Sequence, residues 1–309
     1  MKRRTLTLMD YCLTISALFA PALDHANAAE TTKTAAAPAA SVPQNTFMPP
    51  AADAIPDDGF GKSVRMGEQI FLHTKENAGK YVGNSLNCVS CHLDAGRKPN
   101  SSPMGAAYLM YPAFRSKNGH VNTFAERLQG CFHFSMNGKP PPLGDPILVA
   151  LESYAYWLAK DAPVGRKIAG QGYPTVAKPV LAPDYVRGSK VYEQNCALCH
   201  NADGQGQASA GKMVFPPLWG PKSFNWGAGM HDVKNAAGFI KANMPLGLGG
   251  TLSDQDVWDV ATFMNSQERP QDPRFKGSVE ETRKKYHDST TSLYGTTVNG
   301  HVLGAQAKH

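Results

Sequence analysis

Cys88-Val89-Ser90-Cys91-His92 and Cys196-Ala197-Leu198-Cys199-His200 are two copies of one pentapeptide, Cys-x-x-Cys-His. Its chemistry decides the fold. Two thiols at that spacing form thioethers to the vinyl groups of a haem, and the adjoining histidine becomes the proximal iron ligand. The sequence thus predicts two covalently bound haem c groups. One sits on Cys88, Cys91 and His92, the other on Cys196, Cys199 and His200.

Around each motif the chain repeats itself. Val64-Arg65-Met66-Gly67-Glu68-Gln69-Ile70-Phe71 resembles Val186-Arg187-Gly188-Ser189-Lys190-Val191-Tyr192-Glu193 when Gly67 is laid on Gly188. Each is a helix start leading to a haem motif, with a longer insertion in the first copy. Each half also closes with an amphipathic helix. In the first, Asp145-Pro146 supplies an N-cap followed by proline at the first helical position. Leu148, Leu151, Tyr154, Ala155 and Leu158 then recur at helical spacing. In the second, Ser253-Asp254-Gln255-Asp256 is close to a capping box, ahead of Val257, Val260, Ala261 and Met264.

This order of elements is the cytochrome c pattern. The expected fold class is mainly α, with two cytochrome c-type haem domains in tandem at 57–165 and 184–270. A linker at 166–183, with several Gly and Pro residues, joins them. Residues 29–56, rich in Ala, Pro and Thr, read as a flexible leader. Residues 271–309 are polar with scattered apolar positions and read as an extension wrapped on the surface or partly disordered.

The first 28 residues look like an export signal. Lys2, Arg3 and Arg4 form a basic start, Thr14 to Ala22 a short apolar run, and Ala26-Asn27-Ala28 a small-x-small cleavage site. The uncharged stretch between Asp10 and Asp24 holds 13 residues, short of the roughly 20 that span a bilayer. A soluble, periplasmic protein with no membrane span in its mature form is expected. Cleavage removes three of the positive charges and two of the negative ones, so the formal charge of +6 falls by one. No basic cluster with interleaved aromatics accompanies that charge, which argues against nucleic acid as partner. It suits anionic substrates or an acidic redox partner.

Of six cysteines, Cys12 leaves with the signal and four are committed to haem. Cys131 is left without an intramolecular partner in an oxidising compartment. A distal ligand in such domains lies a few dozen residues after the motif, ahead of the closing helix. Met244 lies 44 residues after His200, within Ala242-Asn243-Met244-Pro245-Leu246-Gly247, in that position. Cys131 lies 39 residues after His92, also ahead of the closing helix. His133 and Met136 compete with it, but the orphan state of Cys131 favours His92/Cys131 ligation at the first haem and His200/Met244 at the second. Thiolate ligation lowers a haem potential and methionine ligation raises it, so electrons released at the first haem would run toward the second.

Arg127-x-x-Gly130-Cys131-x-x-x-Ser135-Met136-Asn137-Gly138, between two haem motifs, resembles the dihaem thiosulfate dehydrogenases of the tetrathionate-forming type. The first haem domain also has a SoxA-like character. Phe215-Pro216-Pro217-Leu218-Trp219-Gly220, Gly227-Ala228-Gly229-Met230 and Asn243-Met244-Pro245 carry the likeness into the second half. The resemblance implies oxidation of two thiosulfate ions to tetrathionate, reversed in some members, with electrons leaving to a small cytochrome or similar acceptor. It implies Cys131 as the catalytic sulfur, which comes off iron to carry a sulfur adduct. Arg127 and Ser135 match positions that hold substrate. Arg115, Lys117 and Lys139 could complete a cationic pocket for the dianions; an arginine would grip a sulfonate better than Lys117 does. Some relatives swap the second-haem ligand between lysine and methionine. Lys212, Lys222, Met213 and Met230 are available, but surface lysine and core methionine are the better readings for them. Two rivals remain: a non-catalytic dihaem electron carrier, with Met136 or Met104 on the first iron, and a SoxA-like sulfur-transfer cytochrome.

Overall fold

The computed structural model describes residues 47–307. The expected signal peptide, and the leader as far as residue 46, lie outside the described residues, as do the last two residues. Helix Gly59–Leu72 begins where the Asp58 carboxylate accepts the Gly61 N–H at 2.8 Å. Its inward residues Val64, Gly67, Ile70 and Phe71 face helix Pro146–Leu158. That second helix starts as its sequence demands, with Asp145 capping Ile147 at 2.9 Å and Pro146 in the first turn. Leu148, Leu151, Tyr154, Ala155 and Leu158 are all buried.

The two helices cross at Gly67. A Cβ there would lie 2.0 Å from the Ala150 carbonyl oxygen and 2.8 Å from the Tyr154 Cβ. The second half makes the same crossing. Helix Tyr185–Asn195 packs on helix Asp254–Asn265, where a Cβ on Gly188 would lie 2.1 Å from the Asp259 oxygen and 2.8 Å from the Phe263 Cβ. Laying Gly67 on Gly188 also lays Ala150 on Asp259 and Tyr154 on Phe263, so the repeat holds at the level of contacts. In both places backbone approaches backbone more closely than any side chain allows.

Each helix pair anchors its own core. The first core gathers Phe71, Leu128, Phe132, Met136, Leu148, Leu151 and Tyr154, and the second Tyr192, Trp219, Val257, Val260, Ala261 and Met264. Strand content among the described residues is confined to two-stranded antiparallel ribbons. Ala113–Arg115 pairs with His120–Asn122 and carries Lys117 in its turn; Gln207–Ser209 pairs with Lys212–Phe215. The stretch between the halves is pinned to the first one, because Gly170 and Gly172 accept the N–H groups of Asn100 and Ser102 at 2.7 and 2.9 Å.

The carboxy-terminal segment differs from its expected loose wrapping. It forms helix Val279–Tyr286 and the ribbon Thr297–Val298/His301–Val302. Tyr294 and Leu303 pack with Trp226 into a third small core. Asp272, His287 and Ser292 are buried among them. Its polar composition misleads because these groups satisfy one another by hydrogen bonds, which removes the cost of burying them.

Candidate active site

Each proximal histidine is oriented by a backbone carbonyl. His92 donates from Nδ1 to Ser102 at 2.7 Å, and His200 donates from Nδ1 to Pro216 at 2.9 Å. Each ring therefore keeps Nε2 free, the arrangement a metal-bound imidazole requires. Burial pushes the His92 imidazole down to about 4; the Ser102 carbonyl opposes that, and the Arg127 guanidinium adds to it. His200 is likewise lowered by burial. Both rings are held neutral, as iron ligands must be.

Cys131 ends helix Phe124–Gly130, which Thr123 and Glu126 cap reciprocally. At Cys131 the helix widens into a π turn, Cys131–Ser135, closed by Met136 N–H donating to the Cys131 carbonyl at 2.9 Å. Such widened turns recur at functional sites because they re-aim side chains. Arg127 lies one α turn before Cys131, and its Nη1 donates to the Cys131 sulfur at 2.9 Å. The sulfur is the leading cause raising the guanidinium's proton affinity, with Tyr111 and Tyr173 contributing. Ser135 closes the π turn; its carbonyl accepts from Asn84 at 2.8 Å. Of the competitors for the distal position, Met136 and Met104 are buried in the first core. His133 packs its ring against Phe134, with centroids 4.7 Å apart.

The cationic residues separate by position. Lys139 is exposed. Arg115 lies with its guanidinium 5.9 Å from the Tyr111 ring centre. Lys117 reaches inward: its ammonium sits 3.7 Å from the Phe134 ring centre and donates to the Gly227 carbonyl. Arg274 approaches the same ring at 5.0 Å. Burial of the ammonium, then Arg274 and Arg127, push Lys117 down to about 7. The residue as a whole is exposed, so solvent screens part of that displacement. The direction rests on the crowding of like charges around its tip. Tyr173 and Arg274 were not foreseen from sequence, and Gly227 was singled out only within the Gly227-Ala228-Gly229-Met230 likeness. All three arrive from segments more than 40 residues downstream, and no local pattern marks Tyr173 or Arg274.

In the second half, a largely apolar cavity of about 670 Å³ is lined by Cys196, Cys199, His200, Phe239 and Met244. It extends to Cys91 of the first motif and to Leu93 just after it. Its size falls in the range of cofactor pockets. Met244 follows helix Val233–Asn243 in extended backbone, its N–H donating to Ile240 at 2.9 Å. Met213 and Met230 also line the cavity, while the Lys212 ammonium pairs with Glu76 at 3.1 Å. Neutral imidazoles with a free Nε2, paired thiols and an apolar crevice fit covalent haem c.

These features define a c-type cytochrome, and the cytochrome c family model matches residues 185–268. More particularly, the chain belongs to the thiosulfate dehydrogenase family of oxidoreductases. It is 64% identical over 258 residues to thiosulfate dehydrogenase of Thiomonas intermedia, covering 84% of this chain and 82% of that one. It is 52% identical over 267 residues to thiosulfate dehydrogenase of Stutzerimonas stutzeri, covering 86% and 87%. Among solved structures it superposes on thiosulfate dehydrogenase (TsdBA) from Marichromatium purpuratum, in the as-isolated form, with a TM-score of 0.81 and 48% identity. The match covers 85% of this chain and 58% of that longer one. Among the described residues, no helix is long and apolar enough to cross a membrane.

Proposed function

We propose that this protein carries two haem c groups and oxidises two thiosulfate ions to tetrathionate at the first, held by His92 and Cys131. Electrons leave through the second, held by His200 and Met244, to a small cytochrome or similar acceptor. The setting is the periplasm, after removal of residues 1–28. The observation that carries the reading is the 2.9 Å hydrogen bond from Arg127 to the Cys131 sulfur. A cation fixed at that distance is placed to hold both the sulfur and an incoming anion.

The bound haems supply the sink for two electrons. The residues do the rest. The Cys131 thiolate forms a sulfur–sulfur bond with the outer sulfur of one thiosulfate, and two electrons are withdrawn. The adduct Cys131–S–S–SO₃⁻ results. The outer sulfur of a second thiosulfate then attacks the adduct sulfur beside the sulfonate. Tetrathionate forms, and the Cys131 thiolate leaves as it entered. Charge and electrons balance without a proton. Arg127 neutralises the thiolate before and after the cycle, and Lys117 offers a second cation for the incoming dianion. Ser135, at the end of the same π turn, presents its hydroxyl to the sulfonate. The carrier alternative would place Met104 or Met136 on the first iron; their burial in the first core weighs against it.

The test is thiosulfate and ferricyanide added to the haem-loaded protein. One tetrathionate for every two ferricyanide ions consumed is expected. No turnover in protein whose haems are both redox-active would overturn the oxidative assignment.

A further inference from the structure

A second polar cluster lies where the carboxy-terminal segment meets the loop that holds Lys117, and the thiosulfate chemistry leaves it unused. His287 is 1% exposed; its Nε2 donates to Asp272 at 2.9 Å. His231 donates from Nδ1 to the Ala228 carbonyl at 2.6 Å. Both outward nitrogens are thereby committed as donors, since a carboxylate and a carbonyl only accept. The two inward nitrogens, His231 Nε2 and His287 Nδ1, face each other at 3.0 Å. In two neutral rings both would be bare lone pairs, a repulsive contact. The Ser292 hydroxyl stands 3.1 Å from one and 3.5 Å from the other, and its single hydrogen serves only one of them.

Something positive must sit between the nitrogens. A metal would hold them about 3.3 Å apart at tetrahedral ligand distances and would need further ligands. No group of three or more metal-binding side chains occurs among the described residues. The 3.0 Å separation is that of an N–H···N hydrogen bond. We propose that His231 and His287 share one proton, forming a buried clasp that fixes the carboxy-terminal segment on the Gly227–His231 loop and so positions Lys117. The link to Lys117 runs through one short stretch of backbone. Gly227 accepts from Lys117, and the next carbonyl, Ala228, accepts from His231. The significance of Lys117 rests on the thiosulfate reading above; the shared proton does not.

The surrounding charges weigh against the shared proton, and the contact geometry carries it. Asp272 faces the pair but is already chelated by Arg274, at 2.9 and 2.6 Å. Lys117, Arg274 and Arg269 repel a proton on either ring, and burial lowers both, His231 to about 3. Against them stand the Asp272 carboxylate on His287 and the two facing lone pairs 3.0 Å apart, which no neutral form of the rings relieves. Glu268 is taken up by Trp226 and the Gly304 N–H, and Asp232 by Ser289 and Thr291. Arg283 is engaged with the carbonyls of Ser292 and Tyr294.

Opening the clasp frees both rings to behave as ordinary histidines. Above the ordinary histidine value the open form has lost the proton while the closed form keeps it. Closure therefore weakens as pH rises, by up to about tenfold per pH unit for one proton. Hydrogen–deuterium exchange of residues 282–292 in the holoprotein reads that ratio, after correction for the intrinsic rate. Wild type should lose protection from about pH 6.5 upward, the ordinary histidine value. In His231→Gln, an amide nitrogen takes the place of Nε2 and donates to His287 without any added proton. That variant should stay protected with no slope. A flat wild-type profile, or equal slopes in the two proteins, would overturn the shared proton. His287→Ala should raise the thiosulfate KM severalfold and move kcat less; an unchanged KM would overturn the positioning of Lys117. Absence of thiosulfate turnover in wild type would sink the functional reading and leave the exchange result standing.

Discussion

Replacing Arg127 by methionine isolates the contact on which the chemistry turns. The side chain keeps its length and helix preference but loses the guanidinium 2.9 Å from the Cys131 sulfur. Arg127 plays no part in capping its helix, which Thr123 and Glu126 start, so the π turn should persist. A hydrogen bond to a charged group is worth about 1.5–3 kcal/mol. If the guanidinium stabilises the thiolate in the transition state by that amount, kcat/KM for thiosulfate should fall about 10- to 150-fold. Part of the loss should return in Arg127→Lys, which restores a point charge without the planar fork. The assay is steady-state ferricyanide reduction, with both haems quantified by absorbance in every preparation. Turnover within twofold of wild type in fully loaded Arg127→Met would refute the reasoning.

Gly67→Ala and Gly188→Ala should each lower the thermal midpoint, since overpacking costs about 1–3 kcal/mol; Gly59→Ala, with nothing within 4 Å of its new Cβ, should not, and equal midpoints would discount the crossings. Met244→Ala should lower the potential of the second haem, and an unchanged redox titration would remove Met244 from the iron. Lys117 is pushed down, so its charge fades at a lower pH than an ordinary lysine's and the thiosulfate KM should climb as pH rises there. Lys117→Arg keeps its charge and should flatten the rise, which parallel KM profiles would contradict.

What could be read from the chain without coordinates follows from covalent and local constraints. The haem motifs are fixed by thioether chemistry. Asp145-Pro146 and Ser253 act within one turn of where they stand, and Gly67 and Gly188 betray the helix crossing because only glycine fits. The Arg127–Cys131 contact was foreseeable from its four-residue spacing, provided the segment is helical. The π turn was not, because it depends on an i to i+5 bond that no residue type signals. Gly227 and Arg274 meet Phe134 only through tertiary folding. The carboxy-terminal cluster was hidden for a different reason: hydropathy reads Asp272, His287 and Ser292 as surface, and only their mutual hydrogen bonds let them be buried.

The most direct test of the central claim compares wild type with Cys131→Ala, both carrying two haems, for tetrathionate formed from thiosulfate with ferricyanide. Wild type should give one tetrathionate per two ferricyanide ions, and Cys131→Ala none while retaining a redox-active second haem. Tetrathionate formation at a comparable rate by fully loaded Cys131→Ala would contradict the account.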